Sequence, residues 1–191
     1  MRKKTVMVFL LSVLFAGNVW AHAGHEHASA IPHVKWGLDG AKELINIHPL
    51  FVHFPIALLL AAVVFYFLGS VIGKEDLFAA GKWVLWLGTL SAGLAVWTGL
   101  KAPDTVFHDM DIHPLILAHQ YLGITILSLS FLLSLWVFIS KANIPAKRFV
   151  FLGILFLLSL LIVQQADFGG RIVFGKGVGI GQRSMMVKTE K

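Results

Sequence analysis

The chain has 191 residues, of which 57% are hydrophobic and only 14% charged, and its mean hydropathy is +0.79. A soluble domain of this length needs far more polar surface, and the net charge of +6 is too modest, in so apolar a chain, to read as nucleic-acid binding. The absence of cysteine excludes disulfides, iron–sulfur clusters, thiolate metal sites and covalently attached c-type haem, so any metal or haem must rest on histidine, methionine or carboxylate.

In chain order, Arg2-Lys3-Lys4, the apolar run from Val6 to Ala16 and the small-residue site Val19-Trp20-Ala21 have the layout of a secretory signal. Cleavage is expected after Ala21, with Ala23 as the alternative; the run is short for a membrane span. Residues 1–21 are therefore read as a signal peptide and residues 22–43 as an exported, histidine-containing segment. Residues 44–168 are read as a membrane bundle and residues 169–191 as a basic tail containing glycine. Four apolar runs define the bundle: Pro49 to Ile72, Trp83 to Leu100, Leu115 to Ser140 and Phe149 to Gln165. Each suits a hydrocarbon core of roughly 30 Å at about 1.5 Å per residue. Short polar breaks between them predict an all-α, antiparallel four-helix membrane bundle.

Lys74, Lys82, Lys141, Lys147 and Arg148 place the first and third connections in the cytoplasm by the positive-inside bias. Both mature termini then lie on the periplasmic side of a bacterial inner membrane. The tail residues Arg171, Lys176, Arg183, Lys188 and Lys191 pull the other way, but the signal segment supports the loops. Trp83, Trp86 and Trp136 are expected at the inner interface and Trp97 at the outer one.

All nine histidines fall on the outer side in this topology. Four occur in two similar phrases, Ile47-His48-Pro49-Leu50 with His53, and Ile112-His113-Pro114-Leu115 with His119. Proline suits the first turn of a helix, so His48 and His113 are placed near helix starts and His53 and His119 inside. Around the axis, His48 and His53 diverge by about 140° and His113 and His119 by about 120°. The expected partners therefore lie across helices, His53 with His119 and His48 with His113, with Pro55 able to kink the first helix.

A buried pair of imidazoles from two helices suits a six-coordinate b-type haem, with His53 and His119 as axial ligands. Arg171 and Lys176 are candidates for pairing with propionates, or are ordinary surface charges. Hydrogen-bonded structural histidines, or a proton or quinone role, are the other readings of the pair. His48 and His113 are read either as metal ligands or as helix-start residues meeting headgroups. Gln120, Gln164, Gln165 and Asp167 stand at the same level as candidate supports for the rings. The face Gly88, Ala92, Ala95, Gly99 reads first as close helix packing and second as a haem wall. Separately, His22, His25 and His27, with a free amine after cleavage, form a candidate copper, nickel or zinc site.

The phrase His48-Pro49-Leu50-Phe51-Val52-His53-Phe54-Pro55-Ile56-Ala57-Leu58 resembles the opening motif of the bacterial membrane proteins grouped as domain of unknown function 2231. Looser resemblances are Thr98-Gly99, Ala118-His119 and the stretch from Gly169 to Val178; together they span about residues 44 to 180. The chain departs from the family pattern at Lys176, where histidine is frequent. The resemblance implies a four-helix membrane domain that can occur beside cytochrome-like modules. The leading expectation is thus an inner-membrane electron-transfer protein holding haem b or a metal, with a periplasmic cytochrome or similar redox partner. The alternatives are a non-enzymatic copper- or zinc-handling protein, or a structural subunit. The chain has no nucleophile–base pair, phosphate loop or metalloprotease helix, so a stand-alone enzyme is not expected.

Overall fold

The computed structural model describes residue 37, residue 44, residues 46–106 and residues 110–179. The expected signal segment and His22, His25, His27, His33 and His108 lie outside the described residues. Contacts divide the chain into two units, Met1–Leu38 and Asp39–Lys191, and every helix described belongs to the second.

That unit is a bundle of four helices: α1 His48–Ile72, α2 Glu75–Lys101, α3 His113–Ser140 and α4 Arg148–Gly170. A 3-10 turn, Ala102–Thr105, follows α2, and one π-helical turn, Arg171–Gly175, extends α4. No strand occurs among the described residues. All four helices are long and apolar enough to cross a membrane; the shortest, α4 at 23 residues, is about 35 Å long. Their outer surfaces confirm the medium: Val71, Leu90, Phe138, Phe149 and Val163 are all more than half exposed. Water would not tolerate such a girdle, whereas lipid does. The chain is an integral four-helix membrane protein.

Local chemistry sets the boundaries. Pro49 and Pro114 sit in the first turns of α1 and α3, where the missing N–H has no helical partner to lose. Gly73, left-handed at φ 72°, ends α1 by donating its N–H to the Gly69 carbonyl at 2.8 Å. Only Gly73 and Lys74 separate α1 from α2. Glu75 and Asp76 open α2, where carboxylates meet the positive end of the helix dipole. This start lies eight residues before the apolar run at Trp83, because Phe78 in the added turns packs into the core against Gly69. α1 is continuous through Pro55.

The seam between α1 and α2 is closed by glycine. A Cβ on Gly69 would lie 2.7 Å from the Phe78 ring, one on Gly81 3.0 Å from Tyr66 and one on Gly88 2.8 Å from Leu59. The small-residue face of α2 therefore serves close packing against α1. Leu59, Tyr66, Leu85, Leu133, Phe151, Leu155 and Leu158 form the centre of the core. Trp136 joins that core edge-on to Phe151, at 5.9 Å between ring centres, while Trp83 and Trp97 remain at the surface.

Candidate site at the histidine end of the bundle

The start of α1, the end of α2, the first turns of α3 and the end of α4 meet at one end of the bundle. His48, the first residue of α1, turns its ring onto α2, with Nδ1 3.0 Å from the Ala95 carbonyl and 3.2 Å from Thr98 Oγ1. The Thr98 hydroxyl already donates to the carbonyls of Leu94 and Ala95. Nδ1 thus faces two acceptors and carries the proton, which leaves the lone pair on Nε2. Gly99 makes the approach possible, since a Cβ there would stand 2.8 Å from His48 Cε1.

His119 comes from the second turn of α3. Its Nε2 is 3.2 Å from Gln165 Nε2 of α4. Gly169 flanks the ring, with a Cβ there 3.3 Å from Cε1, and Gly123 receives the Gln165 amide at 3.2 Å by the same measure. His119 Nδ1 and Gln165 Oε1 are buried without a hydrogen-bond partner. An unmet buried polar atom costs about 1–3 kcal/mol, so two together mark a place with unused binding capacity. Turning the Gln165 amide end for end keeps the contact and reverses it: Oε1 then accepts from Nε2–H, and Nδ1 carries the lone pair.

The two imidazoles face each other. Their ring centres are 6.3 Å apart and their planes cross at 85°. This differs from the expected alignment of His53 with His119 and His48 with His113. His53 is exposed on α1, about 140° around the helix from His48. His113 is also exposed, at the start of α3. The physical reason is axial stagger: the first residue of α1 meets the seventh of α3, so α3 starts about 9 Å farther out.

Arg171 stands on the π-turn, 60% exposed, with Nη1 3.9 Å from Asp167 and its guanidinium over the Phe168 ring. Lys176 pairs with Asp111 at 3.2 Å and ties the turn to the start of α3. Gln164 bonds Asp167 at 3.4 Å on the exposed side, so of the four polar residues expected at this level only Gln165 reaches an imidazole. No group of three or more histidine, cysteine or carboxylate side chains placed to hold a metal occurs among the described residues. Sequence reasoning did not assign roles to Thr98, Gly123 or Gly169. The phrases Thr98-Gly99, Ala118-His119 and Gly169-Gly170 nonetheless converge on this one site.

A family model described as "Predicted membrane protein (DUF2231)" matches residues 44–182, a span that includes all four helices and every residue of the site. Neither the curated proteins nor the solved structures give a match.

Proposed function

The chain belongs to the DUF2231 family of membrane proteins, and from that premise we propose that it is an electron-transfer protein holding a b-type haem between His48 and His119. The observation that carries this reading is the facing pair of imidazoles, 6.3 Å between ring centres. At that separation the two rings would be able to hold one prosthetic group between them. Each ring also has one nitrogen engaged by a neighbour, Ala95 or Gln165, and another left for a ligand. That division is usual for ligating histidines, whose second nitrogen fixes ring orientation and basicity. Two imidazoles suffice for haem, because the macrocycle supplies the other four nitrogens.

When bound, haem supplies one-electron chemistry at iron. His48 and His119 would hold the haem, with Ala95 and Gln165 fixing the orientation of their rings. Arg171 and Lys176 stand at the same end and offer cations to propionates, in exchange for Asp167 and Asp111. In this reading the helices alternate in direction, the signal segment is removed and both mature termini face the periplasm. A periplasmic cytochrome or similar carrier is the partner, and the protein is a redox subunit without an enzymatic activity of its own.

The test is the visible spectrum of protein purified from haem-replete cells. A reduced-minus-oxidised haem spectrum is expected, lost in His48→Ala and in His119→Ala and kept in His53→Ala. A colourless protein, or one whose colour survives His48→Ala, overturns the assignment. The copper- or zinc-handling alternative rests on the sequence cluster His22, His25 and His27. It predicts stoichiometric metal in a colourless protein, lost when that stretch is deleted.

A further inference from the structure

The seam between α2 and α3 carries a groove that haem binding does not use. It is lined by Trp86, Phe131, Ser134, Leu135 and Phe138 and encloses about 350 Å³. Its polar atoms are already engaged. Ser134 Oγ lies 2.9 Å from Thr89 Oγ1 in the core, and the Trp86 indole N–H donates to the Ser134 carbonyl at 3.3 Å. What the groove presents is an alkyl surface, about 10 Å long from Phe131 to Phe138. That suits a hydrocarbon chain better than a ligand needing hydrogen bonds.

One end of the groove is cationic. Lys82 stands one turn before Trp86, with Nζ 5.7 Å from the centre of that ring. The ammonium is held in place by the Asn143 side-chain oxygen at 2.8 Å. Lys141 follows Phe138 by three residues, is exposed and ends α3 in a left-handed conformation at φ 53°. Trp83, 60% exposed, meets Trp86 edge-on at 5.2 Å and marks the depth at which amphipathic rings meet headgroups. The acidic residues of α2, Glu75 and Asp76, lie about two turns before Lys82.

We propose that this groove seats an acyl chain of an anionic phospholipid, whose phosphate is met by Lys82 and Lys141. The apolar lining and the cations at its mouth match the two parts of that molecule. The inference is independent of haem binding, so a His119→Ala protein is expected to show the same lipid preference as the wild type.

The experiment uses the full chain in mild detergent, reloaded with dioleoyl phosphatidylglycerol or dioleoyl phosphatidylcholine, with retained lipid quantified by mass spectrometry. A preference for phosphatidylglycerol is expected, and Lys82→Gln, which can still bond Asn143, should lower it about fivefold. Lys82→Arg should restore it. Leu135→Trp, which fills the groove and leaves both lysines, should abolish retention of the tightly held lipid. Equal retention of the two lipids, or unchanged retention in Leu135→Trp, overturns the proposal. So does efficient disulfide dimerisation of Phe138→Cys in native membranes, which would assign the groove to a second copy of the chain.

Discussion

The two ends of the bundle treat buried polar groups in opposite ways. At the end opposite the histidines, Tyr66 is fully buried between Phe78 and Phe151, with ring centres 6.2 and 4.9 Å away. Its hydroxyl donates to the Asn143 carbonyl at 3.1 Å, and Lys82 donates to the side chain of the same asparagine. Each of these groups has its partner within the protein. At the histidine end, His48 and His119 face each other while His119 Nδ1 and Gln165 Oε1 go unmet. The contrast separates a clamp, which gains by being complete, from a site that keeps capacity for something else. Stability and binding should therefore respond to different substitutions.

The largest stability effect is expected at the clamp. Tyr66→Ala should cost about 3–5 kcal/mol in detergent unfolding, while the folded fraction should keep the haem spectrum that the proposed function requires. Tyr66→Phe, which removes only the bond to Asn143, should cost about 1 kcal/mol. Next comes Gly99→Val, whose side chain collides with His48. Overpacking of about 1–3 kcal/mol is expected, and here the haem spectrum should be lost as well. Gly93, which has open space around it, is the control: Gly93→Ala should be neutral or up to about 1 kcal/mol stabilising, with the spectrum unchanged.

Gln165→Leu removes an unmet acceptor together with a support of His119, so its cost in stability should be under about 1 kcal/mol. Haem affinity should nonetheless fall about 10- to 100-fold in a titration, as for lost supports of ligating histidines. The smallest effect belongs to Lys176→Gln, which breaks an exposed ion pair with Asp111 and should change stability by about 0.5 kcal/mol or less. If Tyr66→Ala erased the spectrum of the folded fraction, or Gln165→Leu left affinity untouched, the division between the ends would fail.

Much of the frame was legible in the sequence. Apolar runs of membrane length, opened by Pro49 and Pro114, correspond to helices in the structure. The face Gly88, Ala92, Ala95, Gly99 reads as packing surface and is buried against α1 in part through Leu59 and His48. The facing of His48 and His119 was not legible. Helical periodicity gives the angle of a side chain around its axis, but not how far one helix slides along another. A stagger of six residues is enough to replace His53 with His48. The selection of Gln165 over Gln164 was hidden for a related reason: the two differ by about 100° around α4, and only the packed neighbour decides which points inward. The early start of α2 was missed because Glu75, Asp76 and Lys82 mask the apolar residues between them, whereas this segment is helical and packs Phe78 into the core.

The two-residue link at Gly73 and Lys74 also bears on biogenesis. With so short a tether, and a seam closed by Gly69, Gly81 and Gly88, α1 and α2 can enter the bilayer and lock together before α3 has been synthesised. His48 would then be fixed on its shelf of Ala95 and Thr98 early, as half of a template. His119 and Gln165 arrive with the later helices, so the site is complete only once the last turns of α4 have left the ribosome and docked.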